Sequence, residues 1–206
     1  MTGQEMVDLV QSYLTDESGE VWNSGLILSF INIAVKTTAM LRPDATARTD
    51  DVAIDADSAR QSMPSDAARL LSINRNTGSG KPVRKISKEV LFELGLTWSA
   101  QSGTDIEHYM YDEESPLVFH VYPVLSSGGS VEMVYSEVPG TVTLESSLGL
   151  SDVYDGPVFD YVLHRCFGME TERIDRQKSA LHLSGFYNAL NVKIQNEARL
   201  KVVQGS

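Results

Sequence analysis

Two histidines in neighbouring segments are the first candidates for chemistry. His108 lies in residues 106–111 and His120 in residues 117–122, and the composition of both segments predicts β-strands. A hairpin whose loop is residues 112–116 would place His108 opposite His120, an arrangement that could begin a metal site. Because no third ligand is spaced to join them, the sequence favours a paired surface or interface histidine, and we expect no metal.

Acidic side chains are a second source of candidate chemistry. They cluster twice in the chain: Asp50, Asp51, Asp55 and Asp57, then Asp112, Glu113 and Glu114. Paired carboxylates could act as the acid and base of a hydrolase, which we keep as one alternative function. The first cluster lacks the residue order of a calcium-binding loop, and clusters of turn carboxylates usually form a solvated surface. We therefore name no catalytic residue.

Other residues that carry chemistry in enzymes lack the neighbours they would need. The single cysteine, Cys166, has no partner for a disulfide in this chain, and His164 would point about 200° away from it on a predicted helix. The glycine turn before Lys81 has Arg75 and Pro82 where a phosphate-binding loop needs glycine and serine or threonine. The sequence therefore indicates no cofactor site.

The charge of the chain limits its partners. It has 206 residues, with 17 Lys and Arg against 28 Asp and Glu, a formal net charge of −11. Such a chain has no general attraction for nucleic-acid phosphates. Residues 101–140 contain seven acidic residues and no Lys or Arg. We therefore predict an acidic surface there, formed by Asp112, Glu113 and Glu114.

Helices are expected at both ends of the chain. Apolar residues recur at helical spacing in four segments: residues 3–15, 20–41, 151–168 and 172–200. Thr2 and Glu5 form a capping box that starts the first helix. The second has an apolar stripe wide enough to pack on more than one side, and it ends before Pro43.

The middle of the chain has a different amino-acid composition. Residues 44–138 are rich in Val, Tyr and Thr and interrupted by Gly and Pro, which is typical of β-strands. We predict an α+β fold, in which residues 1–42 and 141–206 form a helical bundle and residues 43–140 form an inserted antiparallel β-rich domain. No run of about 18 apolar residues occurs, so we expect no contact with a membrane.

Aromatic residues are frequent in the predicted strands. They are Tyr109, Tyr111, Phe119, Tyr122 and Tyr135. They could line a groove for a sugar or a peptide, so a carbohydrate- or peptide-binding module is a further alternative function. Strand composition favours a sheet core with a rim of tyrosines.

Five segments occur together in a characteristic order. They are Trp22 at the start of a helix ending in Leu41-Arg42-Pro43-Asp44-Ala45, then Leu70-Leu71-Ser72-Ile73-Asn74-Arg75-Asn76, then His108-Tyr109-Met110-Tyr111-Asp112 with Phe119-His120-Val121-Tyr122-Pro123, then Val131-Glu132-Met133-Val134-Tyr135-Ser136, and Asp155-Gly156-Pro157-Val158-Phe159-Asp160 before a long helix. Together they resemble the head-to-tail adaptor proteins of short-tailed bacteriophages, also called tail tubular protein A-like or gatekeeper proteins. The resemblance spans about residues 6–190.

The resemblance implies a structural virion protein and not an enzyme. Such adaptors form a dodecameric ring between the portal protein and the tail nozzle protein, with a channel through which DNA passes without specific binding. The helical domain docks on the portal and on neighbouring adaptors, and the β-rich domain makes further ring and tail contacts. The resemblance places the chain at the head–tail junction of the virion after synthesis in the host cytoplasm, and it implies no catalytic, cofactor or metal residues.

Candidate contact residues follow from combining this resemblance with the residues themselves. Exposed aromatic side chains suit protein interfaces, so we predict that Trp22, Tyr109, Tyr111 and Tyr122 contact neighbouring subunits. The acidic surface of Asp112, Glu113 and Glu114 is predicted to face the DNA path or a basic tail partner.

Overall fold

The structure, a computed structural model, describes residues 1–93 and 98–204. Its helices are α1 (Gly3–Tyr13), α2 (Ser24–Leu41), α3 (Lys88–Glu93), α4 (Asp155–Gly168) and α5 (Arg176–Gln204). Its strands are β1 (Ala47–Ile54), β2 (Arg60–Ser62), β3 (Ala67–Asn76), β4 (Arg84–Lys85), β5 (Ser102–Gly103), β6 (His108–Tyr111), β7 (Val118–Tyr122), β8 (Val124–Leu125) and β9 (Gly129–Glu137). The predicted α+β class is confirmed.

The chain folds as two units. The helical unit comprises Met1–Ala45 and Pro139–Ser206, and the β unit comprises Thr46–Val138. Each unit has its own hydrophobic core.

The helical unit begins at the predicted capping box. The Thr2 hydroxyl accepts a hydrogen bond from the Glu5 amide at 3.2 Å, and the Glu5 carboxylate accepts one from the Thr2 amide at 2.8 Å. These two bonds satisfy N–H groups that the first turn of α1 leaves without a helical partner. The prediction of a capping box is therefore confirmed.

Helix α2 supplies much of the core of the helical unit. Its buried residues, which include Ile27, Ile31 and Ala34, pack with residues of α1 and α4 such as Val10 and Val162. One side of the predicted apolar stripe is buried in this core, and packing on a second side stays a prediction. By length and by a mean hydropathy of 1.5, α2 could also cross a membrane, a property that it shares with core helices of folded domains.

Helices α4 and α5 make a second cluster in the same unit. Phe186 and Leu190 of α5 pack against Tyr154, just before α4, and against Ala45. Polar bonds between the two helices add to this contact, since His182 Nδ1 lies 2.8 Å from Asp160 Oδ1 and the Ser179 hydroxyl lies 2.9 Å from His164 Nδ1.

The β unit contains two principal sheets. One has the order β1-β9-β3 and is antiparallel throughout, and the other has the order β2-β7-β6-β4, in which β4 runs parallel to β6. Alternate residues of both sheets, including Ile73, Phe119 and Met133, are buried in one core. Two buried side-chain amides, those of Gln61 and Asn76, donate hydrogen bonds to backbone oxygens of the loops beside this core.

Candidate assembly surfaces

The loop between β6 and β7 determines where its acidic side chains lie. β6 ends at Tyr111 and β7 begins at Val118, so the loop spans residues 112–117 and is one residue longer than predicted. The first pair across it is Tyr111 with Phe119. Its two successive turns need this length, because the Ser115 amide donates to Asp112 O and the Val118 amide donates to Ser115 O, both at 3.1 Å.

This register corrects the prediction for the two histidines. His108 lies opposite Tyr122, and His120 lies opposite Met110, so the predicted pairing of His108 with His120 is wrong. No group of three His, Cys, Asp or Glu side chains that could hold a metal ion occurs within residues 1–93 and 98–204.

The three predicted acidic residues are all exposed but have different environments. Asp112 shapes the loop, because its carboxylate accepts the Glu114 amide at 3.0 Å. Glu113 lies 2.9 Å from the guanidinium of Arg69. Two of the three carboxylates therefore have contacts within the chain, which leaves Glu114 as the one most available to a partner.

Two other acids of residues 101–140 are paired with cations from earlier in the chain. Lys81 Nζ lies 2.7 Å from Asp105 Oδ2. Hydrogen bonds from Lys81 and then Ser79 lower the pKa of the Asp105 carboxyl. Hydrogen bonds from Asn74 and then Arg75 lower the pKa of Glu132. The acidity of this segment is therefore partly neutralised in the folded β unit.

The predicted aromatic contact residues separate into two groups. Trp22 is 1% exposed in the core of the helical unit, and Tyr109 is 4% exposed in the core of the β unit. Tyr111 and Tyr122 are half-buried. The expected sheet core with a tyrosine rim is confirmed, and we carry only Tyr111 and Tyr122 forward as contact residues.

Both rim tyrosines also have partners within the chain. The Tyr111 hydroxyl accepts the Leu70 amide and donates to Pro116 O, each at 3.2 Å. The Tyr122 hydroxyl donates to the side chain of Gln101. Their hydroxyl groups are therefore occupied. The Tyr111 ring also packs against the core of the β unit, with Lys85 Nζ 5.8 Å from its centroid, so the ring of Tyr122 is the more available of the two.

A buried ionic network lies where α2 ends, and the residue patterns did not indicate it. Arg42 is 3% exposed, and its guanidinium donates to both carboxylate oxygens of Asp44 at 2.8 and 3.0 Å. The Tyr154 hydroxyl donates to the same carboxylate at 2.7 Å, and Arg42 also reaches Leu190 O at 3.4 Å. The network joins the end of α2 to Tyr154 and to the backbone of α5, which are more than 100 residues away in the chain, so no local pattern could indicate it.

Cys166 is completely buried in the core, and burial raises the pKa of its thiol to about 12. His164 on the same helix contacts Ser179 instead, which confirms that the two do not form a dyad.

At pH 8 the Cys166 thiol stays protonated, so we predict that it reacts with a disulfide reagent at least about a hundredfold more slowly than a free thiol does. Absorbance of the released thiolate measures the rate, and denatured chain is the control. Equal rates for folded and denatured chain would contradict this burial.

Comparison with known proteins extends these observations to the whole chain. The family model described as SU10 adaptor protein matches residues 1–204. No curated protein matches the chain. Because the family match includes both units, it applies to the chain as a whole and not to one segment. The chain therefore belongs to the SU10 adaptor protein family, a family of phage structural adaptors.

Proposed function

We propose that this chain is the head-to-tail adaptor of a short-tailed phage. It acts by assembly, as a closed, dodecameric ring between the portal protein and the tail nozzle protein, with a central channel for DNA. The observation that carries this proposal is the family match over residues 1–204. The resemblance of the five ordered segments to gatekeeper adaptors supports the finer assignment.

The helical unit is the part that we propose to dock on the portal, with its helices acting as a bundle. Several of its large apolar side chains are exposed, among them Ile33, Met40 and Leu41 on α2, and Met40 is 72% exposed. Apolar side chains exposed along one helix suit a protein contact. A ring also needs two different surfaces on each subunit, which close by rotation.

The β unit is the part that we propose to face the DNA path or a basic tail partner. Its charged residues are eight Lys and Arg and fourteen Asp and Glu. A channel wall with an excess of carboxylates repels phosphates, so DNA passes without sticking. The exposed acidic loop at residues 112–114 is a candidate for this wall.

Size-exclusion chromatography with light scattering, combined with negative-stain imaging, tests the proposal. The chain is measured alone and with the portal protein of its phage. Rings in either sample are the expected result, and a ring that forms only with portal agrees equally well, because the portal can act as a template. A chain that stays monomeric and also fails to bind portal would contradict the proposal.

Charge reversal tests the role of the acidic loop. We predict that Glu113→Lys with Glu114→Lys lowers infectivity by on the order of tenfold or more, because a basic loop would attract DNA phosphates or repel a basic tail protein. Asp112 is left unchanged because it shapes the loop. Plaque counts with complemented phage give the measurement, and reversal of the exposed Glu17 and Glu20 in the helical unit is the matched control. Infectivity equal to that of the wild type would exclude this placement of the loop.

A further inference from the structure

One face of the four-stranded sheet carries a row of cationic and aromatic side chains. Arg84 on β4 is paired with His108 on β6, and His108 is paired with Tyr122 on β7. Residues that lie directly opposite each other on adjacent strands project to the same side of a sheet. The three side chains therefore form a row across three strands, and they line one groove of the β unit.

A second row runs parallel to the first. Met110 on β6 is paired with His120 on β7, and His120 is paired with Arg60 on β2. Residues two apart on a strand share a face, so both rows lie on the same side, which is opposite to the buried Tyr109 and Phe119. We call this side the outer sheet face, defined by Arg60, Arg84, His108, Met110, His120 and Tyr122. Met110 is only 7% exposed, so the two arginines are the side chains of this face that are most open to a partner.

The two arginines of the outer sheet face differ from the other arginines of the β unit. Arg48, Arg69 and Arg75 each contact a carboxylate. Arg60 and Arg84 are exposed, and neither guanidinium makes an ion pair or a hydrogen bond to any residue that the structure describes. A guanidinium offers several N–H donors in one plane, which suits an incoming carboxylate.

A turn of the same unit presents carboxylates with the opposite property. Asp55 and Asp57 are exposed, and neither carboxylate has a partner among the described residues. The buried Gln61 holds this turn, because its side chain accepts the Asp55 amide at 2.8 Å and donates to Asp55 O at 3.1 Å and Ser58 O at 2.7 Å. The turn is therefore preorganised, which lowers the entropic cost of binding through it.

We propose that the outer sheet face of one copy binds the Asp55–Asp57 turn of a second copy. The contact joins two different surfaces, so it can repeat around a ring. The inference rests on the proposed function, which supplies neighbours in that ring. Charge complementarity together with the rigidity of the turn favours this occupant, because the unpaired guanidiniums lie on one surface and two unpaired carboxylates lie on a turn that Gln61 holds in place.

Nucleic acid is a poorer fit to the outer sheet face. The β unit has six more acidic than basic residues, and this excess repels a polyanion at long range. Glu89 and the acidic loop at residues 112–114 also line the groove at His120. Arg60 lines the same groove, so any acidic partner meets some of these carboxylates, but a short turn meets fewer of them than a continuous phosphate backbone does.

Two complementary variants of the full chain test the contact by sedimentation velocity. The first is Arg60→Glu with Arg84→Glu, and the second is Asp55→Lys with Asp57→Asn, since asparagine tolerates the left-handed backbone (φ 56°) at position 57. At about 150 mM salt, where the long-range repulsion between two acidic chains is screened beyond about 8 Å, we expect the wild type to self-associate and each variant to do so at least about tenfold more weakly. Mixing the two variants should restore association, because the unchanged face of the second variant meets the unchanged turn of the first, and the two altered surfaces are also complementary in charge. Arg165→Glu with Arg176→Glu, at exposed positions of the helical unit, is the matched control.

Circular dichroism confirms that each variant is folded before the results are compared. A wild type that stays monomeric at all concentrations, or variants that associate like the wild type, would overturn the inference. A different result would also overturn it: the wild type binds a short DNA, the Arg60→Glu with Arg84→Glu variant does not, and both self-associate equally. That result would indicate a nucleic-acid contact. If portal binding by the wild type persists in any of these cases, the inference fails and the proposed function stands. If the wild type neither forms rings nor binds portal, the proposed function fails.

Discussion

Asp44→Ala is expected to lower the free energy of unfolding of the helical unit by about 2 kcal/mol, a value reduced by the 39% exposure of the Asp44 side chain. The change removes two charge-assisted hydrogen bonds to the guanidinium of Arg42, whose side chain is 4% exposed. It also removes the acceptor of the Tyr154 hydroxyl. Hydrogen bonds to charged groups contribute about 1.5–3 kcal/mol each, and loss of one partner leaves the other poorly solvated.

Chemical denaturation followed by circular dichroism at a helix-sensitive wavelength measures this effect. Asp44→Asn keeps one acceptor oxygen and should cost less than alanine does. Glu17→Ala, at an exposed position of the same unit, should change the free energy by no more than about 0.5 kcal/mol. A loss below about 1 kcal/mol for Asp44→Ala would mean that the network does not hold the end of α2 in place.

Asn76→Ala is expected to destabilise the β unit by about 3 kcal/mol. The Asn76 side chain accepts the Ile106 amide at 2.9 Å and donates to Ile106 O at 2.8 Å and Lys81 O at 3.1 Å. Ile106 is 1% exposed, so no water replaces these bonds when the amide is removed. Each buried polar group left without a partner costs about 1–3 kcal/mol.

Hydrogen exchange at the Ile106 amide is the sharpest readout of this substitution, and denaturation gives the total. Asn74→Ala on the same strand is the matched control, because Asn74 is exposed and its bond to Glu132 lies at the surface. The control should cost no more than about 1 kcal/mol. If the two alanine variants are equally stable, Asn76 does not fix the path of the chain before β6.

Local patterns predicted local structure well. The capping box joins residues three apart, and proline restricts the residue before it, so the start of α1 and the end of α2 at Leu41 follow from neighbours in the chain. The predicted start of α2 at residue 20 was wrong, because hydrogen bonds within the preceding loop move the start to Ser24. The Asp16 carboxylate accepts the amides of Val21 and Trp22, which holds these residues in a loop, and Asn23 then caps the helix at Ser24.

The candidate contact residues were harder to predict, because residue type does not distinguish a core from an interface. Trp22 and Tyr109 are as suitable for one as for the other, and only the packing of distant segments buries them. The register of β6 on β7 likewise depends on turns within the loop, and it moved His120 away from His108. The absence of an ion pair at Arg60 and Arg84 could be recognised only once the ion pairs of the other described arginines in the β unit were known.

Cryo-electron microscopy of purified virions tests the adaptor role most directly. We expect a closed ring at the head–tail junction, on the tail side of the portal protein, into whose density the helical unit and the β unit of this chain both fit. A junction in which other proteins account for all of the density would contradict the adaptor role.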